Sequence, residues 1–438
     1  MLDHLPKQIK RLVAFLLLWA VSLLAWSFLP SPGAEDVRYW LAWLQAVDSR
    51  GIVPAYKTIE WLDYPPLIFL IFFGVAKLAT LFQIQLFLGL KLSLFAFLII
   101  TTLVFLAWTR NLWLATLLQL ALLLNAMALV YVDIYFAPTL LLSLWALKAR
   151  KLCLFTLVFS TTCLIKWQPV IVAPFILVYL LEDQPAERLP TRMEEGQDQP
   201  AERHPTRMEE GQDQPAEPFP TDLFYKKLLK LFWQVVLPLW VIVGVVWAIF
   251  GWEFWMAFRR AVSDPILSGK ALNFNWVLTH LLHLNYPNIF GGLVEGRATI
   301  IQSDLRILLI PKLLFYPVYG LVVSAFLKQA KTFENLLLYA LAGYLAYFTF
   351  NTGVHQNHLF LALILAALLA WLKREHLFTF IICGVVANLN LFVFYGLDGT
   401  EPPRLEIAGL DLAFCLALLN VWLFVLFFTV VFLKEPNP

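Results

Sequence analysis

The sequence predicts an all-α integral membrane protein with about 12 transmembrane helices. Three observations carry this. Of its 438 residues, 61% are hydrophobic and only 14% charged, with a mean hydropathy of +0.74; soluble domains run near 45–50% apolar and about 25% charged. Aromatic residues reach 16%, which excludes a chain disordered as a whole. The apolar residues also fall into runs, and a helical span needs roughly 20 of them.

Taken in order, the runs lie near 12–29, 66–82, 86–107, 112–130, 134–149, 152–165, 169–181, 228–250, 306–327, 335–351, 359–372, 376–396 and 409–433. Lys7, Lys10 and Arg11 precede the first run, no clear A-x-A site follows it, and it reads as an uncleaved helix with its N-terminus in the cytoplasm. Basic clusters at Lys148/Arg150/Lys151, Lys226/Lys227/Lys230, Lys328/Lys331, Lys373/Arg374 and Lys434 mark the other cytoplasmic ends. Both termini then share one side, which requires an even number of crossings. Thirteen runs are one too many. The surplus is sought between Arg110 and Lys148, where two runs occupy the space of one crossing. The external loops are then 30–65, 251–305, 352–358 and 397–408, and the two long ones are the functional candidates.

The net charge of +2 hides an asymmetry. Residues 182–222 hold 12 acids and 4 bases, leaving 28 bases against 18 acids in the remainder. A basic membrane body suits anionic lipids or an anionic lipid-linked ligand, and nothing suggests a nucleic-acid partner. Within 182–225, DQPAERLPTRMEEGQ is followed by DQPAERHPTRMEEGQ and a partial third copy. This composition predicts a disordered cytoplasmic insertion between an N-terminal membrane module, 1–181, and a C-terminal one, 226–438. The four cysteines lie in or beside apolar runs and form neither a disulfide framework nor a zinc spacing. No P-loop and no G-x-G-x-x-G occurs, so nucleotide-driven chemistry lacks support.

In the first external loop, Val37, Trp40, Leu41, Leu44 and Val47 form one helical stripe. A short interfacial helix is expected there, opened by Asp36, with Trp40 and Trp43 at headgroup level and an end at Gly51. Asp36 has two readings, a helix cap or a reactive carboxylate. Asp63-Tyr64-Pro65-Pro66 opens the next run.

These features together resemble the GT-C glycosyltransferases, polytopic enzymes that take a sugar from a polyprenyl-phosphate carrier on the non-cytoplasmic face. The likeness rests on Asp36, Val37, Tyr39, Gly51, Pro54, Tyr56, Asp63, Tyr64, Pro65, Pro66 and Leu67. Three further patches resemble the family. Lys166-Trp167-Gln168-Pro169 is similar to the Lys-x-x-Pro of bacterial polyprenyl-phosphate mannosyltransferase-like members. Ala271 to Trp276 is similar to N-A-x-N-x-W, with one Asn displaced. Gly353 to His358 is similar to G-x-H-E-x-H, with Gln356 in place of the acid. The resemblance implies a GT-C-like bundle with interfacial helices in the first external loop, and inverting transfer of a hexose, mannose among the options, to a glycan or lipid acceptor. It implies Asp36 as the base. It also implies a bacterial plasma membrane and no cofactor beyond the donor.

Transfer from a lipid phosphate needs cations or N–H donors for the leaving group and a base for the acceptor hydroxyl. External cations available are Arg38, Lys57, Lys166, Arg259, Arg260, Lys270, Arg297 and Arg306. Lys166 stands out, because an unpaired cation near the membrane costs roughly 2.5–3.5 kcal/mol; a carboxylate, headgroups or the donor phosphate would neutralise it. Arg259 and Arg260 read as phosphate contacts or interface anchors. His355 and His358 share a face, as donor contacts or water-facing helix-end residues, and without a nearby carboxylate they make a poor metal site. Asp133 reads as a helix cap or a substrate contact. Tyr64, Asn273, Asn275 and Trp276 complete the candidate substrate-binding set, the last three through amides and an aromatic face suited to sugars. A flippase for lipid-linked sugars, or a noncatalytic protein of the same fold, is the rival reading.

Overall fold

The computed structural model describes residues 6–181, 225, 229–302, 306–400, 405–407 and 409–433. The tandem repeat and the rest of 182–224, Lys226, Lys227 and Lys434 lie outside the described residues, as do the side chains of Lys7 and Arg306. The chain is an all-α membrane protein. Among the described residues the only ladder is a two-stranded ribbon, Glu406–Ile407 against Leu410–Asp411.

Six helices are long and apolar enough to cross a membrane: Gln8–Ser27, Leu86–Thr109, Leu229–Phe250, Leu309–Leu327, Arg374–Tyr395 and Leu412–Phe432. Several bare large apolar side chains outward, such as Trp19, Trp240 and Trp422. That is expected where the solvent is hydrocarbon. The helices are α1 (Lys7–Ser27), α2 (Val37–Arg50), α3 (Ile52–Thr58), α4 (Leu67–Leu81), α5 (Leu86–Thr109), α6 (Leu112–Leu123), α7 (Ala137–Lys148), α8 (Leu152–Ile165) and α9 (Ala173–Leu181). They continue as α10 (Leu237–Phe250), α11 (Trp252–Val262), α12 (Phe274–Asn285), α13 (Pro287–Phe290), α14 (Leu309–Leu327), α15 (Phe333–Phe350), α16 (Phe360–Leu372), α17 (Leu377–Tyr395) and α18 (Leu412–Leu433).

The centre of the bundle is α15 and α16. Both are almost wholly buried, and α16 reads FLALILAALLAWL. Its alanines let neighbouring backbones approach, the usual means of helix association without a hydrophobic driving force. Helices α6, α7, α14, α17 and α18 pack around this pair.

The two ends of the bundle differ in chemistry. At one, Lys148 lies over the rings of Phe333 and Trp371 at 5.4 and 4.8 Å, and Lys373 pairs with Glu334 at 2.8 Å. At the other, the long loops gather. Lys91 marks that loop end. It is fully buried on α5 and donates to the carbonyls of Phe28 (2.7 Å) and Met127 (2.5 Å), tying the ends of α1 and α6 together. A cation suits helix C-termini, whose last carbonyls lack partners. Lys91→Met should take the lysine donor from the buried Met127 carbonyl, while Phe28 O keeps its bond from Ser31 N (3.0 Å). At about 1–3 kcal/mol for one such group, a fall in thermal midpoint in detergent is expected, and an unchanged midpoint would refute the role.

The runs 112–130 and 134–149 fold as α6 and α7, joined through the break at 124–136. The run 66–82 folds as α4. Its N-terminus follows Tyr64, which meets Lys166 at the loop end. Its C-terminus turns at Phe82 into α5, where Gly89 packs on Ala79 and Val75 beside Lys91. Its 15 residues reach about 22 Å. It lies against α2, with Trp43 stacked on Phe69 at 5.6 Å and Lys77 bonded to Asp48 at 2.8 Å. Hydropathy alone cannot separate a helix buried under another helix from one that spans.

Helix α2 begins at Val37 and ends before Gly51, which takes φ 82, as the stripe and the glycine predict. Trp40 and Trp43 differ from expectation. They are 4% and 8% exposed and pack on Tyr64, Phe69 and Phe72, because α4 covers the face expected to meet headgroups.

Candidate functional site

The chemistry-bearing residues meet where helices break at the loop end. Helix α6 widens into a π turn at Leu124–Ala128, reverses at Val130 with φ 63, and continues as a 3-10 turn, Val132–Phe136, carrying Asp133. A β-branched residue in the left-handed region is strained. Here Gly33 holds it in place: a Cβ on Gly33 would overlap the Val130 side chain. The two backbones therefore close up, and the bond from Ala34 N to Leu129 O (3.0 Å) fixes the entry to α2.

Helix α8 stops at Lys166, whose extended backbone ends it, and Pro169 in the following 3-10 turn prevents continuation. Lys166 Nζ lies 3.1 Å from Asp133 Oδ1 and donates to the Tyr64 hydroxyl. Asn357 Nδ2 donates to the other oxygen of Asp133 at 2.6 Å. Asp133 is fully buried and Lys166 8% exposed. So Asp133 caps no helix; it neutralises Lys166, the carboxylate option among those the sequence left open. Beside them the backbone of the 62–64 stretch is gripped by side chains: Trp167 Nε1 donates to Asp63 O (2.9 Å), Arg260 to Leu62 O (3.1 Å) and Tyr56 OH to Tyr64 O (3.1 Å). Gln168 is buried with neither amide atom hydrogen-bonded.

Asp36 stands at the start of α2 but makes no capping hydrogen bond. The cap reading is therefore not what the fold uses. Its carboxyl is set deep in a cleft yet reachable by solvent. Burial pushes its pKa above the usual 3.8; His355 and Lys166 pull it back in part, while Glu35 and Asp63 add to the rise. Asp63 behaves alike: burial raises it against the pull of Lys166 and His355.

His355 closes the cleft. Two loops are stitched there: Gly353 N donates to Ile266 O, Gly269 N to Val354 O and Gln356 N to Gly269 O. Gly269 lies against the His355 ring so closely that a Cβ would overlap it. His355 Nε2 meets Asp264 Oδ2 at 3.3 Å. Burial opposes the imidazolium, but the Asp264 hydrogen bond and the charges of Asp264, Asp36 and Asp63 outweigh it, so the His355 pKa rises above 6.5. The sequence offers His355 no carboxylate nearby; the fold brings one from 91 residues away. His358 faces the Tyr347 hydroxyl through Nδ1 at 3.1 Å, with its ring 5.4 Å from His355.

The structure thus brings together Asp36, Tyr64, Asp133, Lys166, His355 and His358. Arg260 joins them through backbone. Arg38 does not: it is exposed and turns onto Tyr39, 2.9 Å from its hydroxyl. Arg259 is likewise exposed. Asn273, Asn275 and Trp276 are buried. Asn273 Oδ1 caps α12 at Trp276 N, its amide donates to Phe348 O (2.8 Å), and Asn275 donates to Asn351 O (2.6 Å). The side-chain amides of Asn273 and Asn275 pin α12 to α15, a positioning part rather than a ligand-facing one, while Trp276 borders a cavity. Gln356 is also internal, donating to the hydroxyls of Tyr131 and Tyr395. Asp63, Asp264 and Asn357 are the residues a reading of the sequence passed over. Asp63 lies within the quoted Asp-Tyr-Pro-Pro stretch, but nothing local distinguishes Asp264.

Four carboxylates therefore surround two cations. Two are matched by direct pairs, Lys166–Asp133 and His355–Asp264, leaving Asp36 and Asp63 without a direct ion pair among the described residues. No protein-family model matches this chain, and no characterised protein matches it by sequence.

Proposed function

We propose that this chain is an inverting membrane glycosyltransferase of the GT-C type, moving a hexose from a polyprenyl-phosphate carrier to an acceptor hydroxyl on the non-cytoplasmic face. The observation that carries the reading is Asp36: a carboxylate at a helix start that caps nothing, deep in a cleft beside Lys166 and His355. In this reading α4, which packs against α2, is the run that does not cross, and the other twelve apolar runs make 12 crossings. Both termini and the basic end then lie in the cytoplasm, as the positive-inside rule asks, in a bacterial plasma membrane.

In the proposed reaction the acceptor oxygen attacks C1 from the face opposite the phosphate. A C1–O bond to the acceptor forms, the C1–O bond to phosphate breaks, and its electron pair leaves with the polyprenyl phosphate. Asp36 takes the acceptor proton, and its raised pKa brings it nearer the working pH, which favours a general base. Lys166 and protonated His355 place N–H donors where the leaving phosphate gains charge, and Tyr64 orients Lys166. The protein supplies all of this from fixed side chains; a divalent metal is not part of the reading.

The test is turnover in nanodiscs. Purified protein is offered a panel of polyprenyl-phosphate sugars with an acceptor lipid extract, and released polyprenyl phosphate is read by mass spectrometry for wild type and Asp36→Asn. Release that depends on Asp36 supports the reading and names the sugar. Tight donor binding without release from any donor would favour a flippase or a noncatalytic protein of this fold.

The same assay gives a pH prediction. His355 keeps its proton above pH 6.5 because Asp264 holds it, and its charge is lost as pH rises through that raised value. In Asp264→Asn the hydrogen-bonded anion is gone and burial dominates, so the alkaline limb of kcat should move to lower pH. A limb that stays in place would show that His355 is not the group titrating.

A further inference from the structure

Beside the cleft lies a cavity of about 680 Å³, within the ~300–1,000 Å³ of small-molecule sites. Three stretches of chain wall it: the turn 294–300, the end of α17 at Phe392–Phe394, and Asp411–Ala413. Glu35 and Lys270 line it too. Glu35 precedes Asp36, and Lys270 follows Gly269, which touches His355. Lys270 Nζ meets Glu35 Oε1 at 3.5 Å, so the cavity wall on this side is formed by the chain neighbours of Asp36 and Gly269. Asp36 therefore adjoins the cavity wall through Glu35 and feels the charges of Lys166 and His355.

We propose that this cavity is the acceptor subsite, and that it takes an uncharged, hydroxyl-rich glycan. The inference rests on the glycosyltransferase reading and adds the acceptor class to it. The lining carries three carboxylates, Glu35, Glu295 and Asp411, against two cations, Lys270 and Arg297. An excess of negative charge disfavours a phosphorylated acceptor. Phe392 and Phe394 supply aromatic surface, which suits the C–H faces of a sugar ring while the charged groups meet its hydroxyls. A base between the two compartments is what the reaction needs: acceptor on one side, C1 of the donor on the other.

Binding tests this without turnover. Full-length protein in nanodiscs is offered maltotriose, glucose 6-phosphate and, in separate discs, monohexosyl diacylglycerol. Saturation-transfer NMR reads the soluble probes and native mass spectrometry the lipid. Thr299→Trp fills the cavity from an exposed turn residue, and Arg297→Ala removes a lining cation; thermal midpoints check that both fold. A neutral probe should bind wild type and lose at least tenfold in affinity in Thr299→Trp, and glucose 6-phosphate should bind more weakly. Which neutral probe binds separates a free glycan from a glycolipid. Unchanged affinity in both cavity variants, tighter binding of the phosphate, or no binding of either neutral probe would overturn the subsite. Binding that behaves as expected, in a protein that releases no polyprenyl phosphate, would remove the transferase and leave a carbohydrate site.

Discussion

Asp36→Asn is expected to lower the release of polyprenyl phosphate by about 10²–10⁴-fold, the range of a general base, with the fold intact. The second half of that expectation is what makes the first informative. An aspartate that caps a helix carries about 1 kcal/mol of stability, and its loss could be mistaken for a catalytic defect. Asp36 makes no such bond, so the amide should leave circular dichroism and thermal midpoint as they are. The pH profile adds a separate readout. Burial holds the Asp36 pKa above 3.8, so the wild-type rate should fall as pH drops through a value higher than that of an ordinary carboxylate. Asp36→Glu keeps the charge but moves it by one methylene, and should retain a small rate with a shifted acid limb. Equal release from wild type and Asp36→Asn would remove Asp36 as the base.

Lys166→Met should cost stability as well as donor binding. Removing one partner of a buried ion pair costs roughly 3–5 kcal/mol, because the other charge is left uncompensated. Here the group left behind is Asp133, fully buried and held on its other oxygen only by the Asn357 amide. The double variant Lys166→Met/Asp133→Leu removes both charges and should recover most of the lost stability in urea or thermal unfolding, since buried pairs are often replaceable by apolar residues. Donor affinity should not recover, because the N–H donors for the phosphate are still missing. A double variant that is stable and binds the donor as wild type does would reduce Lys166 to a structural role.

Two contacts at the site belong to no local sequence pattern. Lys166 reaches Tyr64 across 102 residues, and His355 reaches Asp264 across 91. The sequence sees a lysine needing an anion because hydrocarbon penalises an unpaired cation wherever it falls. It cannot say which anion, because that depends on where α6 breaks at Val130. Asn273 and Asn275 illustrate the converse. Amides beside an aromatic are the same residue types whether they bind a sugar or bind backbone carbonyls, and only the approach of α15 gives them to the backbone.

Composition and hydropathy by themselves determined that this is a helical membrane protein, since apolar content and run length are properties of the chain before it folds. The 3.6-residue stripe and Gly51 likewise determined α2, because period and φ preference act within a few residues. Tertiary structure alone decided that α4 packs against α2, that Trp40 and Trp43 face protein rather than headgroups, and that Asp264 stands beside His355. In each case the deciding quantity is the distance between segments far apart in sequence, set by which helix faces pack together.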